Sequence, residues 1–307
     1  MPGLEQDSKS YLGARLAALR RTQNSDGGWG YFAGKESWLE PTAYAAMALA
    51  GEAAADRAWK LLSSWQLPDG SWKPAAEVKV SSWGTSLCAT IAMVRNEWGQ
   101  PLEGAVKWLV ASSGVESNWL NVAAARLHLV KQERGIGLKS WPWKPGNSGW
   151  VEPTVHAIVA LKQASAKFSS GELRGRVKMG EAQLMDVRSR DGGWNYGSPA
   201  AVGVDLPSYP ETTALALVAL QGRDDLGKVF DLARRQIGET PSPMARAWLA
   251  IAMRLHGVKP VELTGEPQAD LMITAIEALA AAEGNYHFMK TANWTQVGRG
   301  NRLGVTA

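Results

Sequence analysis

The 307-residue chain has little cysteine, little phenylalanine and little net charge. Its single cysteine, Cys88, excludes an intramolecular disulfide and any metal cluster built from several cysteines. The net charge is only +4. Lys290, Arg299 and Arg302, in a segment without acids at 285–307, supply most of it. Because the rest of the chain is nearly neutral, a nucleic-acid interface is not expected.

Long apolar runs are also missing. Stretches such as 43–50 and 214–220 are far shorter than the roughly 18 residues that a membrane-spanning helix needs. The first residues, MPGLEQDSKSYLG, carry acids where a signal peptide has a basic end and an apolar core. We therefore expect a cytoplasmic protein without a transmembrane segment.

Tryptophan, in contrast, is abundant, with 15 residues against four phenylalanines. The phrase Asp-Gly-Gly-Trp or Asp-Gly-Ser-Trp ends at Trp29, Trp72 and Trp194. A glutamine stands three residues before the aspartate in the first two copies, and an arginine in the third. Asp26 and Asp69 lie 43 residues apart, a spacing typical of helical arrays. Aspartate tolerates a turn and glycine supplies a positive φ, so a helix is predicted to end at each copy.

A second repeated phrase opens apolar segments. It reads Trp-Leu-Glu-Pro-Thr from Trp38, Trp-Val-Glu-Pro-Thr from Trp150 and Tyr-Pro-Glu-Thr-Thr from Tyr209. The segments that follow are apolar on nearly every face, which predicts helices buried on all sides. We expect inner helices at 43–50, 87–94, 122–129, 155–161, 214–220 and 247–253, with 268–282 as an ambiguous seventh.

Helices of a different kind precede the Asp-Gly turns. Ala58, Leu61, Leu62 and Trp65 follow the spacing i, i+3, i+4, i+7, so only one face is apolar. One-faced helices that alternate with fully buried ones predict an all-α, double-walled ring, although a straight solenoid would alternate in the same way. We assign the ring to residues 1–284 and a Gly-rich, basic tail to residues 285–307. For the tail, a flexible end is favoured over a strap across the ring or a contact with a membrane surface.

The repeated phrases resemble those of a known superfamily. Gln-x-x-Asp-Gly-x-Trp at 23–29 and 66–72 is similar to the QW motif of squalene–hopene and oxidosqualene cyclases. The chain thus resembles the terpenoid cyclase and protein prenyltransferase superfamily over roughly residues 8–284. The resemblance implies one (α/α)6 toroid with a central cavity. It also implies a purely structural role, tying helices together away from substrate, for Gln23, Trp29, Gln66, Trp72 and Trp194.

Three carboxylates are predicted at the amino-terminal ends of inner helices. In class II terpene cyclases an Asp-x-Asp-Asp-Thr motif at this place supplies a proton. Overlaid through the threonine, its middle acid matches Glu211, Glu152 and Glu40, but the flanking aspartates are missing. The resemblance therefore implies candidate catalytic acids at Glu211, Glu152 and Glu40, and we add candidate substrate contacts at His156, Tyr209, Trp38 and Trp150. A simpler interpretation stays open, because the helix dipole stabilises such carboxylates by about 0.3–1 kcal/mol.

No cofactor or metal is expected. Glu152 and His156 share a helix face, where a buried hydrogen bond between them is a simpler interpretation than a metal site or a proton relay. The zinc of protein prenyltransferases needs Asp, Cys and His ligands, and Cys88 has no aspartate two residues before it. Two hypotheses remain. One is a cyclase-like or prenyltransferase-like enzyme that handles an isoprenoid or another apolar small molecule in the cavity. The other is a non-catalytic toroid that binds a lipid or a protein.

Overall fold

The computed structural model describes residues 10–127, 129, 137–168, 170–197, 200–201 and 204–291, and this part of the chain is mostly helical. The helices are α1 (Tyr11–Thr22), α2 (Leu39–Ala48), α3 (Ala53–Ser63), α4 (Thr85–Val94), α5 (Gln100–Ala111), α6 (Trp119–Arg126), α7 (Val151–Ala164), α8 (Gly171–Asp186), α9 (Pro210–Ala219), α10 (Gly227–Glu239), α11 (Pro243–Leu255) and α12 (Leu271–Ala280). Two short antiparallel hairpins pair β1 (Trp141–Pro142) with β2 (Gly149–Trp150) and β3 (Ala200–Ala201) with β4 (Val204–Asp205). None of the described helices is long and apolar enough to cross a membrane.

Six helices form a closed inner ring. In order around the ring these are α2, α4, α7, α9, α11 and α12, and α12 contacts α2 again. Their sequences explain their position, because they are apolar on all faces: the stretch 214–220 of α9, for example, is fully buried. The closed contacts exclude a straight solenoid.

Five one-faced helices form the outer wall. Helix α1 packs on α12, α3 on α2, α5 on α4, α8 on α7, and α10 on both α9 and α11. In α3, for example, Ala58 and Leu62 are buried, while Lys60, which lies between them in the sequence, is exposed. Between α11 and α12 the residues 256–270 run as a loop, so a loop takes the place of the sixth outer helix in this part of the chain.

A buried ion pair joins the first outer helix, α1, to the last inner helix, α12. Arg15 of α1 donates from Nε to Oε2 of Glu277 of α12 at 2.9 Å, and neither side chain is more than 4% exposed. The other guanidinium nitrogens donate to the carbonyls of Tyr11, Gly265 and Glu266. Because each charge has a partner and the remaining donors are bonded, the pair is satisfied in its buried setting.

The tryptophans of the repeated phrase are structural. The indole N–H groups of Trp29, Trp72 and Trp194 donate to the carbonyls of Leu19, Leu62 and Leu184, each near the end of the preceding outer helix. Trp141 makes the same bond to Leu109 and is thus a fourth copy, hidden in a degenerate stretch of sequence. All four rings are fully buried, so they tie the two walls together, as the resemblance implied.

The glutamines of the phrase connect successive outer helices. Gln23 donates to the carbonyl of Ala54 at the start of α3, and Gln66 donates to that of Pro101 at the start of α5, both at 2.8 Å. In the third copy Arg188 donates to the carbonyl of Gly192. That glycine has a φ of 96°, so it forms the expected left-handed turn, but the turn follows the end of α8 at Asp186 and does not itself end the helix.

The expected inner helix at 122–129 is wrong. Helix α6 lies outside the ring beside a 3-10 turn at Val115–Ser117. Trp119 at its start is 75% exposed, and Leu127 just after it is 69% exposed. The ambiguous segment 268–282 supplies the sixth inner helix, α12, instead. Once the six places around the ring are filled, an apolar segment has no buried position left in it.

The first part of the predicted tail packs against the ring. We call residues 284–291, which include a 3-10 turn at Asn285–Met289, the strap. Asn285 donates to the carbonyl of Met47 of α2, and Gln163 of α7 donates to that of Phe288. Gln221, just after α9, donates to the carbonyl of Met289. The strap therefore crosses the carboxyl-terminal ends of three inner helices, in place of the flexible end that was favoured. Residues 292–307 lie outside the described residues.

Candidate functional site

The three predicted acids converge at the amino-terminal ends of the inner helices. Glu40, Glu152 and Glu211 are each the second residue of their helices, α2, α7 and α9. The charges of Glu40 and Glu211 both raise the pKa of Glu152, so the three carboxyls interact electrostatically. Each side chain stays partly accessible. We call this cluster the acid site.

Glu40 is held by two donors. The hydroxyl of Tyr31 donates to Oε2 at 2.9 Å, and the indole N–H of Trp83 donates to Oε1 at 3.1 Å. Burial raises the pKa of Glu40, and these two hydrogen bonds act in the opposite direction, because they favour the charged form. Both carboxylate oxygens are therefore fixed in position.

Glu211 has a similar partner. The hydroxyl of Tyr196 donates to its Oε1. The rings of Tyr196 and Tyr209 lie 5.1 Å apart, and both remain well exposed. Burial and then the bond to Glu211 raise the pKa of Tyr196. A tyrosine that stays protonated is a permanent donor to this carboxylate.

Glu152 differs from its two neighbours. Among the described residues none donates a hydrogen bond to it. Burial, followed by the charges of Glu40 and Glu211, raises its pKa to about 8. Its side chain nevertheless keeps accessible surface, so the residue is not wholly packed into the core. At neutral pH Glu152 is mostly protonated and available as an acid.

An aromatic wall lies deeper in the ring. His156 bonds through Nε2 to the hydroxyl of Tyr44 at 3.1 Å, so the expected hydrogen bond between Glu152 and His156 is replaced by this one. The imidazole centroid is 5.2 Å from that of Trp83 and 5.7 Å from that of Trp248. Burial lowers the pKa of His156 to about 3. The histidine is thus a neutral member of an aromatic cluster.

Exposed aromatic residues surround the acid site. Trp38, Trp150 and Tyr209 are the capping residues just before α2, α7 and α9. They are 37%, 40% and 44% exposed, which is high for such large rings. These three predicted substrate contacts therefore lie near the acids at the helix ends, whereas His156, the fourth, is buried.

The partners of the acids were not foreseen from the sequence. Tyr31 and Tyr196 each follow a repeated tryptophan by two residues, and this shared spacing is a signal that could have found them. Trp83 gave no such signal, because it reaches Glu40 from 43 residues away in the chain. As for metals, the described residues contain no group of three or more His, Cys, Asp or Glu that could hold an ion.

Comparisons with known proteins support the architecture. No protein-family profile and no curated protein matches the sequence. Among solved structures, the type II terpene cyclase MstE from Scytonema is similar, with a TM-score of 0.52 and 16% identity over 82% of this chain and 73% of that one. The chain is an (α/α)6 toroid.

Two glycosidases are at least as similar in shape. The family 8 endoglucanase Cel10 from Klebsiella pneumoniae has a TM-score of 0.57 and 15% identity over 87% of this chain and 97% of that one. The α-1,6-mannanase GH76A of a Salegentibacter species has a TM-score of 0.59 and 10% identity over 88% and 98%. At such identities the likeness is one of fold, and the site has to indicate the chemistry.

Proposed function

We propose that the protein is a cyclase-like enzyme that uses Glu152 as a general acid on an isoprenoid bound in the ring. The observation that carries the proposal is the contrast among the three carboxyls. Within the described part of the chain Glu152 has no hydrogen-bond donor, and its pKa is raised to about 8, while Glu40 and Glu211 accept hydrogen bonds from tyrosines. A proton donor flanked by two anions suits a reaction that develops positive charge.

The acidity of Glu152 restricts the substrate. A carboxyl with a pKa of about 8 is a weak acid, and the sequence lacks the aspartates that would strengthen it. An epoxide is easier to protonate than an unactivated alkene. In the proposed step Glu152 gives its proton to the epoxide oxygen, the C–O bond breaks towards that oxygen, and a chain double bond attacks the carbon left electron-poor. The chain cation that results then loses a proton to water, which leaves a cyclic alcohol.

The surroundings suit an apolar chain that becomes cationic. Trp83, Tyr44 and Trp248 present aromatic rings in the interior, and the faces of such rings attract cations. Another structure of the Scytonema cyclase holds geranylgeranyl dihydroxybenzoate, which that enzyme takes as substrate. This supports an isoprenoid as the ligand class here.

Glycoside hydrolysis is the second candidate. Glycosidases combine a carboxylic acid of raised pKa with a second carboxylate, and the acid site offers both. The exposed rings of Trp38 and Trp150 are suited to stacking on sugar rings. In this version Glu152 protonates the leaving oxygen, and Glu40 or Glu211 acts as base or nucleophile.

One panel of substrates separates these functions. Purified protein is incubated with squalene epoxide, a geranylgeranyl epoxide, α-1,6-mannotriose and cello-oligosaccharides, and products are followed by mass spectrometry, with Glu152→Gln as the matched control. We expect cyclic alcohols from an epoxide over many turnovers, formed roughly a thousandfold more slowly by the variant. Sugar cleavage would favour the second candidate. A bound lipid in native mass spectra without any conversion would favour a non-catalytic toroid.

A further inference from the structure

The acid site is built from a fourfold structural repeat. The main-chain N–H of each repeated tryptophan donates to a threonine hydroxyl in the following inner helix, at 2.9–3.1 Å. The pairs are Trp29–Thr42, Trp72–Thr85, Trp141–Thr154 and Trp194–Thr213. Thirteen residues separate the partners in the first three pairs and nineteen in the fourth. Positions can therefore be compared between copies by structure as well as by spacing.

The acids occupy one position of this repeat. The residue two before the threonine is, in chain order, Glu40, Trp83, Glu152 and Glu211. The residue two after the tryptophan is Tyr31, Pro74, Trp143 and Tyr196. In the first and fourth copies the tyrosine donates to the glutamate of its own copy. The third copy keeps the glutamate and has tryptophan where the tyrosine would be.

This substitution singles out one carboxyl. We propose that Trp143 is a positioning residue that makes Glu152 the proton-holding acid of the three, because it takes the place of the tyrosine that donates to each of the others. The inference rests on the proposed function for the catalytic use of that proton, whereas the protonation of Glu152 itself depends only on the folded protein. A hydroxyl donor favours the charged form of a carboxyl, and its absence favours the neutral form.

The position of Trp143 agrees with this equivalence. The hairpin pairs Trp141 with Trp150, and Trp29 likewise bonds to Trp38 through the main chain. The ring of Trp143 packs edge-on against Trp83, with centroids 5.2 Å apart. It is therefore held in the aromatic wall, and no other described residue has taken over as donor to Glu152.

The other ionisable groups near Glu152 act on it together with burial, which is the largest cause of its raised pKa. Glu40 and Glu211 repel its charged form from α2 and α9. Tyr31, Tyr44 and Tyr196 lie within electrostatic range and are neutral at pH 7. His156, one turn further along α7, is neutral as well. Burial and the repulsion from both neighbours thus already favour the neutral form of Glu152, and among the described residues it is also the one acid of the three that accepts no hydrogen bond from a tyrosine.

The test reads the carboxyls directly. Full-length protein is labelled with glutamate that carries ¹³C at the carboxyl, and its signals are titrated by NMR. Glu152→Gln and Glu40→Gln identify the two signals by their disappearance. In Trp143→Tyr we expect the titration of Glu152 to move down by at least about one pKa unit, a tenfold loss of proton affinity. Trp143→Phe, which removes the indole without adding a hydroxyl, is the matched control and should move it by less than a third of that amount.

The reverse exchange keeps the test decisive if the first variant does not fold. Tyr31→Trp removes the donor from Glu40, and its signal should titrate about one unit higher than in the wild type. The inference is overturned if Glu152 titrates with an ordinary glutamate pKa in the wild type. It is also overturned if neither exchange moves its carboxyl, or if Trp143→Phe moves Glu152 as far as Trp143→Tyr does.

Failure of this inference and failure of the proposed function are distinguishable. The titration needs no substrate. If the carboxyl signals shift as expected but no substrate is turned over, the proposed enzymatic function is rejected and the role of Trp143 is kept. If substrate is turned over but the carboxyl signals do not shift in the variants, the enzymatic function is kept and the role of Trp143 is rejected.

Discussion

The two faces of the ring treat the ends of the same inner helices in opposite ways. At the carboxyl-terminal face, main-chain carbonyls meet donors from the strap and its neighbours, such as Gln163, Gln221 and Asn285. At the amino-terminal face three of the inner helices carry a glutamate as their second residue, and one of these, Glu152, has no donor among the residues that the structure describes. A carboxyl that accepts no hydrogen bond keeps its proton more readily, which the proposed function requires of Glu152. The contrast therefore indicates a closed, structural face and a reactive one.

Lys162 is a buried cation on the strap face with several partners. Its ammonium donates to the carbonyls of Ala219 and Gln221 and pairs with Glu181 at 2.6 Å. Burial lowers the pKa of Lys162, and Glu181 acts in the opposite direction. A cleft of about 440 Å³ also opens on this side, between Met47, Ile91 and Phe288 among others, and its described lining includes no acid. Chemistry is therefore expected at the other face.

The largest effect should come from the unpaired acid. Glu152→Gln keeps the shape and removes the proton, so kcat for the epoxide should fall by roughly 10³-fold, within the range for general acids. Glu211→Gln should lose much less, because Glu211 only stabilises charge in the proposed step. Steady-state kinetics check both variants. A greater loss in Glu211→Gln would make Glu211 the acid and would shift the reactive part of this face to α9.

On the strap face the largest effect should be on stability alone. Lys162→Met removes a buried cation and leaves two carbonyls and Glu181 without their partner, which should lower the free energy of unfolding by about 3 kcal/mol. Urea unfolding measures this. The exposed Lys259 provides the control, since Lys259→Met should change stability by less than about 0.5 kcal/mol. A loss of kcat in folded Lys162→Met at saturating substrate would contradict the separation of the two faces.

The pH dependence of stability should differ between Glu152→Gln and the wild type. The pKa of Glu152 is about 8 in the folded protein, compared with 4.5 for an unperturbed glutamate. Between these two pH values the folded state therefore holds one proton more than the unfolded state. Wild-type stability should therefore fall, relative to the variant, as pH rises from about 5 to 8. Because water can reach the carboxyl, we expect on the order of 2 kcal/mol, less than the full shift implies. Equal slopes for both proteins in unfolding from pH 5 to 9 would show that Glu152 ionises normally.

The smallest effect should come from loosening the strap. Gln221→Ala removes a bond to Met289 and one from the main chain of Thr291, which should cost about 1–2 kcal/mol. Limited proteolysis should then cut within 284–291 faster than in the wild type, with kcat unchanged. Gln100→Ala, at the exposed first residue of α5, is the control. Unchanged cleavage would mean that this bond does not hold the strap.

The sequence was sufficient to predict the architecture because two local patterns of apolar residues determine it. Helices apolar on all faces, such as α9, have to be buried, and one-faced helices such as α3 have to cover them. The same rule failed for α6. An apolar sequence shows that a helix favours burial, but it does not show whether a position in the inner ring is still vacant. Which helices occupy the ring is decided by contacts between distant segments, such as α12 with α2.

For the acid site, the repeated phrases predicted the carboxyls but not the contacts that distinguish them. Repetition of the Glu-Pro-Thr phrase located Glu40 and Glu152, and an overlay added Glu211. Their electrostatic environment depends on Trp83, on Tyr196 and on burial, none of which follows from local spacing. The proton-holding character of Glu152 is a property of the assembled ring.

The buried pair between Arg15 and Glu277 has a consequence for synthesis of the chain. Its partners are 262 residues apart, so the arginine leaves the ribosome long before its counter-ion is made. Until then the growing polypeptide is an open arc with a cation at one free edge, and domains that depend on such distant contacts form late. Any shortened product that ends before α12 would keep an unmatched charge and an uncovered helix edge, which marks it for chaperones or for degradation.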